Sequence, residues 1–231
     1  MNLQKTSKLV IYALSDTHQH HALFDLKDQC DVLIHCGDFS GSGTIAETKK
    51  FLEWFSKQPA THKIFISGNH DALDDEQPSL FNEILKEYPG VIYLRDSGCE
   101  IEGIKFWGRP WTPRFNDWNF MCDPDSPKMK STLDIVPTDT HVLITHGPPY
   151  QILDLTNGNE NVGCMDTRNW LEDGKNKPIL ILCGHIHHSR GTYMYGDTTI
   201  VNCAVLNDWY RFKGMPMVIE IEDKKVTSII K

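Results

Sequence analysis

Positive charge is scarce in this sequence: 23 Lys and Arg face 31 Asp and Glu, a net charge of −8. The basic field on which long nucleic-acid tracts depend is therefore missing, although bound cations can reverse the sign locally and admit a small anion. Long apolar runs are missing too. Stretches such as Ile179–Cys183 fall far short of the roughly 18–20 residues of a membrane-spanning helix. The run Leu9–Leu14 passes straight into Ser-Asp-Thr-His without a small-residue cleavage pattern, unlike a signal peptide. The seven cysteines are scattered, with no C-x-x-C, which suits free thiols in a reducing compartment better than a disulfide framework. A cytoplasmic setting is expected. No repeat, low-complexity tract or Gly/Ser linker divides the chain, so one domain over residues 1–231 is expected, long enough for a sizeable core.

What recurs is a short β-rich apolar run that ends at once in polar residues. Lys8–Ser15 leads into Asp16-Thr17-His18, Asp31–Cys36 into Gly37-Asp38, and Lys63–Ser67 into Gly68-Asn69-His70-Asp71. His141–Thr145 leads into His146-Gly147-Pro148-Pro149, and Pro178–Cys183 into Gly184-His185-Ile186-His187. Continuous Ile/Val/Leu runs of this length, bounded by Gly or Pro, suit strands buried on both faces. Ile45–Lys57 and Ser79–Tyr88 carry helical apolar spacing, and strand–helix–strand alternation argues a parallel core sheet. The later chain predicts more strands at Ile104–Trp107, Gly191–Tyr195, Thr199–Cys203, Met217–Ile221 and Val226–Ile230, with Tyr195–Thr198 as a tight turn. The expected fold class is α/β with mixed α+β character: two mixed β-sheets with helices outside. Arg109–Pro127, with four prolines and four large aromatics, reads as a long aromatic loop of the kind that is often functional.

In open α/β sheets, sites form beyond the carboxyl ends of strands. Five successive strand ends here offer Asp16 and His18, Asp38, Asn69, His146, and His185 with His187. In extended chain, residues two apart point the same way, so Asp16/His18 and His185/His187 are each expected to supply two ligands from one strand end. Carboxylate, imidazole and amide oxygen suit a first-row divalent metal, not a thiolate-rich structural zinc. Seven ligands are too many for one tetrahedral ion and suit two ions sharing a carboxylate. Such ions, roughly 3.5–4 Å apart, can generate a bridging hydroxide and neutralise a phosphoryl group under in-line attack. Singly, each of these residues is equally well read as a turn or capping residue; the ordered series is what is specific.

The series D-x-H, G-D, G-N-H-D, T-H-G-P-P and G-H-x-H resembles the calcineurin-like metallophosphoesterase superfamily, with motifs from Asp16 to His187. The resemblance implies two face-to-face β-sheets flanked by helices and a dinuclear site. It implies that Asp16, His18 and His187 hold the first metal, Asn69, His146 and His185 the second, and that Asp38 bridges them. His70 matches the histidine that stabilises the phosphoryl transition state or protonates the leaving oxygen. Closer likeness is to a metallophosphodiesterase subgroup found also in animals (the fetal-brain 239-like proteins), carried by G-D-F at Gly37–Phe39, the run Arg109–Phe120, V-G-C at Val162–Cys164 and G-H-I-H at Gly184–His187. Phe-Ser-Gly-Ser-Gly follows Asp38 where protein phosphatases carry D-R-G, and Asp71 stands where they carry Glu. The implied activity is hydrolysis of a small phosphodiester, with a cyclic nucleotide favoured, by two divalent ions; manganese is favoured over iron, zinc or nickel. The alternatives are a phosphomonoesterase or protein phosphatase, a DNA nuclease of the same superfamily, and a metal-binding module without turnover. The last should have lost a ligand or His70, and none is missing.

Arg109, Arg114 and Arg168 can hold a phosphate bidentately, and Trp111, Phe115 and Trp118 can stack a nucleobase. Surface pairing and loop packing are the plainer alternatives. Arg109, Arg114 and Trp118 stand as candidate substrate contacts. Gly41 and Gly43 match no Walker pattern and read as a flexible turn. His35 and His141 are expected to be packed or hydrogen-bonded beside strands, and His62 to start one. His20, His21 and His188 are expected near the site or at the surface, and Cys36 and Cys183 as small core residues.

Overall fold

The apolar runs form strands because both of their faces are covered. In a computed structural model, which describes residues 8–175 and 177–230, strand β1 (Lys8–Leu14) turns Leu9, Ile11 and Ala13 to one apolar cluster and Val10, Tyr12 and Leu14 to another. This is the period of two that a pleated strand imposes. The strands β2 (Cys30–His35), β3 (Ala60–Phe65) and β4 (Val91–Tyr93) follow β1 in parallel. Later in the chain come β5 (Ser97–Ile101), β6 (Ile104–Arg109), β7 (Thr112–Pro113), β8 (Met121–Cys122), β9 (Val142–Thr145) and β10 (Leu180–Cys183). The last are β11 (Gly191–Tyr195), β12 (Thr198–Asn202), β13 (Met217–Glu222) and β14 (Lys225–Ile230).

One sheet runs β14-β13-β1-β2-β3-β4 and the other β11-β12-β10-β9-β6-β5. In each, four parallel strands carry antiparallel partners, β13 and β14 in the first and β11 and β5 in the second. The two faces meet through Ile11, Val32, Ile34 and Ile64 on one side and Phe106, Ile144, Leu182 and Val201 on the other. The expected pair of mixed sheets with helices outside is the observed architecture.

Helix α1 (Ile45–Ser56) starts at a capping box: Thr44 accepts from the Glu47 N–H while the Glu47 carboxylate accepts from the Thr44 N–H. Its buried Phe51, Leu52 and Phe55 close the outer face of the first sheet, with Phe51 stacked on Phe39 at 4.2 Å between centroids. The helices α2 (Ala72–Glu76) and α3 (Pro78–Leu85) follow β3. The pair α4 (Pro127–Asp134) and α5 (Met165–Glu172) is not anticipated by periodicity. Each is two turns long and rich in polar residues, so neither carries a wide apolar stripe. The tight turn at Tyr195–Thr198 joins β11 to β12 as expected. The strand ends of the two sheets are tied together where the motifs lie: Ser15 N–H donates to the Cys203 carbonyl (3.1 Å) and Val205 N–H to Ser15 (3.1 Å), while the bond from Gly184 N–H to His146 (2.8 Å) joins two strand ends within the second sheet.

His35 is fully buried under Phe51, with Nε2 2.9 Å from the Thr17 hydroxyl, and burial pushes its pKa down to about 3. The ring is neutral when folded, whereas the unfolded chain takes a proton below an ordinary pKa of about 6.5. Stability therefore falls as pH drops from about 6.5 toward 3. Between pH 7 and 5 this group alone removes about 2 kcal/mol. Urea midpoints at those two pH values should fall less in a His35→Gln variant, which retains a partner for Thr17; an identical fall in both proteins rejects the contribution.

Candidate metal centre

The polar residues at the strand ends converge because parallel strands deliver their carboxyl ends to one side. Asp16 and His18 follow β1, Asp38 follows β2, Asn69 and His70 follow β3, His146 follows β9, and His185 and His187 follow β10. Three groups of donor atoms lie within 4.8 Å of one another: Asp16, His18 and His187; His18, Asp38 and His70; Asp38, His146 and His185. His146 Nε2 also lies 3.0 Å from Asn69 Oδ1 and 3.3 Å from Asp38 Oδ2. All seven expected ligand positions and His70 are thus gathered in space, with Asp38 common to two groups.

The way the pairs reach the centre differs from the extended chain expected. Asp16, His18, Asp38 and His185 all have left-handed backbones, with φ of 58°, 38°, 57° and 67°. Such conformations cost L-residues energy and persist where surrounding contacts over-determine them. Here the contacts are backbone bonds from Asp16 N–H to Gly37 (3.0 Å) and His18 N–H to Asp38 (3.0 Å). The His185 N–H adds a bond to the Asp16 carboxylate, at 2.9 and 3.0 Å from its two oxygens. A sharp turn, not the pleat of a strand, aims each pair.

Four histidines are oriented alike. Nδ1 of His18, His70, His146 and His187 lies 3.2, 2.8, 2.9 and 2.9 Å from the carbonyls of Ser40, Gly41, Cys36 and Asn207. A carbonyl only accepts, so each Nδ1 carries a proton and each Nε2 points inward. His18 Nε2 and His187 Nε2 then face each other at 3.3 Å, and His146 Nε2 faces the oxygens of Asn69 and Asp38. Without a metal these contacts need a proton on one Nε2 of each set; imidazole nitrogens gathered in this way with carboxylate and amide oxygens form a donor set that fits divalent cations.

The electrostatics agree. Burial disfavours a charged His146, yet Asp38 prevails and raises it to about 9; Asp16 likewise overrides burial at His187, again to about 9. Burial also opposes the charged carboxylates, yet the facing imidazoles hold Asp16 and Asp38 well below the usual carboxylate range. At His18 and His185 burial wins, lowering them to about 4 and about 3.

The substrate-contact expectations fare differently. Arg109 is wholly buried, and its guanidinium donates to Thr132 (2.8 Å), Thr167 (3.3 Å) and Thr145 (3.4 Å). It locks β6 and β9 to α4 and α5 and cannot reach a substrate, which corrects that expectation. Arg114 pairs with Asp123 at 2.5 Å, Arg168 pairs with Glu172, and Trp118 packs on His70 at 4.2 Å. His21, expected near the site or at the surface, is instead buried against Trp54 and Phe51. Cys36 and Cys183 are core residues.

Two residues take roles that the sequence does not reveal. Buried Asp71 accepts from the N–H groups of Gly68 (2.7 Å), Asp38 (2.9 Å) and Ser40 (3.0 Å) and from the Ser40 hydroxyl (2.6 Å). It clamps the Asp38 turn to the Asn69 turn. Its place beside His70 in G-N-H-D was the available signal. Tyr210, with φ 55°, sets its ring against His18 at 4.6 Å; only its place in an aromatic-rich stretch marked it.

The calcineurin-like phosphoesterase pattern matches residues 9–189. The chain belongs to that family. It is 32% identical over 229 residues to human metallophosphoesterase domain-containing protein 1, covering 90% of this chain and 69% of that protein. A UPF0046 protein of Caenorhabditis elegans is 31% identical over 233 residues, covering 96% and 78%. The crystal structure of TT1561 from Thermus thermophilus superposes with a TM-score of 0.60 at 13% identity, covering 96% of this chain and 98% of that one. A further crystal structure reaches 0.71 at 14% identity, covering 97% and 99%; at such identities the likeness concerns the fold alone. Among the described residues, no helix is long and apolar enough to cross a membrane.

In this calcineurin-like phosphoesterase, Asp38 belongs to two of the three donor groups, so Asp38→Ala should empty at least one metal position. Gly68→Ala should weaken binding indirectly, because a Cβ there would lie 2.6 Å from both Asp38 N and His146 Cε1. Metal analysis after manganese loading checks both; two ions retained in Asp38→Ala rejects the shared role.

Proposed function

We propose that the protein is a dinuclear-metal phosphodiesterase that hydrolyses a small phosphodiester, with a cyclic nucleotide as the leading candidate. Asp16, His18 and His187 would hold one divalent ion, Asn69, His146 and His185 the other, with Asp38 between them. Manganese leads, ahead of iron, zinc and nickel. Two such ions, when bound, supply Lewis acidity toward the phosphoryl oxygens and lower the pKa of water from about 16 toward about 7. The seven free cysteines, six of them buried, support a reducing, cytoplasmic setting.

The chain's own residues then orient the substrate and move a proton. His70 is the group for the leaving oxygen: its Nδ1–H is fixed on the Gly41 carbonyl, which leaves Nε2 as the atom that exchanges a proton. Trp118 covers one side of the His70 ring and limits water there. Asp71 keeps His70 and Asp38 on a common footing, and the His70 N–H donates to Asp38 Oδ1 at 2.8 Å.

The observation that carries a diester over a monoester is the residue next to Asp38. Phe39 is buried in the aromatic cluster with Phe51 and Phe65, so that position offers no cation, and the buried Arg109 offers none either. A monoester dianion needs more positive charge than a diester monoanion, so the arrangement favours the diester.

Metal-stripped protein resupplied with manganese should cleave an aryl phosphodiester in preference to the corresponding monoester; the opposite preference overturns the diester reading. His70→Ala should retain its metal and lose turnover by about 10²–10⁴-fold. Unchanged turnover in that variant removes His70 from the mechanism.

A further inference from the structure

A cavity of about 470 Å³ adjoins the metal centre beside His185, walled by Pro113, Phe115, Val162 and Ile186 and completed by Arg114 and Thr156. It meets the centre at His185, which belongs to its wall and against whose ring the Phe115 ring packs at 5.2 Å. Its walls are fixed. On one side the buried Asp154 carboxylate accepts from the N–H groups of Gln151 and Gly163, both at 2.8 Å. The Val162 N–H donates to the Asp154 carbonyl at 3.3 Å. Gly163 sits so close to the neighbouring segment that a Cβ would lie 2.5 Å from the Pro149 carbonyl oxygen. On the other side Arg114 N–H donates to the Cys122 carbonyl at 2.9 Å, and the Asp123 carboxylate holds its guanidinium. Phe115 and Val162 nevertheless remain 41% and 38% exposed. Large apolar groups kept rigid and open beside a polar centre mark a place for an apolar part of a ligand.

We propose that this cavity is the subsite for the organic group that stays on phosphorus, and that it takes a planar aromatic ring. The inference rests on the phosphodiesterase reading and gives it a substrate class. Geometry decides which ester group faces the cavity. His70 groups with His18 and Asp38, whereas His185 groups with Asp38 and His146. The proton donor for the leaving oxygen and the cavity therefore attach to different groups that share Asp38. In the hydrolysis, the oxygen of water forms a new P–O bond as the P–O bond to the leaving alcohol breaks. That bond's electron pair stays on the leaving oxygen; the proton that the attacking water releases passes by way of His70 Nε2 to an alkoxide leaving group, or to solvent when p-nitrophenolate leaves. The ring beside Phe115 leaves as part of the monoester product. Its selection comes from burial against Pro113, Val162 and Ile186 and from contact with the Phe115 face.

The test uses p-nitrophenyl phenyl phosphate and p-nitrophenyl methyl phosphate, which release the same p-nitrophenolate and differ only in the retained group. Relative to the uncatalysed rates, the manganese-loaded protein should favour the phenyl ester in kcat/KM by about tenfold or more. Val162→Trp, which fills the cavity, and Phe115→Ala, which removes a wall, should each bring that ratio toward one. Calorimetry without turnover should show phenylphosphonate binding more tightly than methylphosphonate to the parent, by a margin that both variants shrink. The ratio is read, so any change in metal loading affects both ligands alike. Equal use of the two esters by the parent, or a phenyl preference that survives in both variants, overturns the subsite. If neither diester is cleaved while phenylphosphonate keeps its advantage through Val162 and Phe115, the subsite stands and the diesterase reading falls.

Discussion

The Asp38 carboxylate is shared between two groups of histidines, and a second buried carboxylate holds it there. Asp71 accepts the Asp38 N–H, and the His70 N–H in turn donates to Asp38 Oδ1. Asp38 Oδ2 is left facing His146 Nε2 at 3.3 Å and His18 Nε2 at 3.8 Å. Two carboxylates buried so close together repel, and burial with that repulsion lifts Asp71 to about 7 while the histidines keep Asp38 ionised. The four hydrogen bonds that Asp71 accepts offset part of this cost. Removing that clamp would free the two turns that present Asp38, Asn69 and His70 to move independently.

The surrounding fold gives these strained turns a rigid base. The parallel strands beneath them are buried on both faces, and the backbone bonds of Ser15 with Cys203 and Val205 tie the two sheets together beside Asp16. Left-handed backbones at Asp16, His18, Asp38 and His185 are held by the hydrogen bonds of their turns, which the packed strands preceding them keep in register. Stability and strain are therefore distributed along each strand, with a packed apolar run followed at once by an over-determined polar turn.

Three aromatic side chains from two loops surround the centre, each against a different histidine. Phe115 lies on His185, Trp118 on His70 and Tyr210 on His18. They shape access more than they add charge, since Arg109 is absorbed into the helix packing. The loop holding Phe115 and Trp118 is pinned by Thr112 N–H to the Phe120 carbonyl and by Asn119 N–H to Asn69. The loop holding Tyr210 is tied to a site histidine through the Asn207 carbonyl, which accepts from His187 Nδ1.

The sequence by itself determined the strands and the identities of the polar residues that end them. A strand buried on both faces has to be a short run of Ile, Val and Leu, and the turn after it has to be polar, so both are written locally. The same locality made α1 legible through its capping box and Phe51, Leu52 and Phe55. It left α4 and α5 obscure, because they are held by Met129 and Leu133, by each other and by an arginine distant in sequence. Only the tertiary structure decided what Arg109, Asp71 and Tyr210 do. Arg109 looks like a phosphate ligand until α4 and α5 close over it, and Asp71 looks like a turn residue until β2 brings Asp38 beside it. A residue's type is set by the chain, but its partners are set by which strand ends the sheet order makes neighbours.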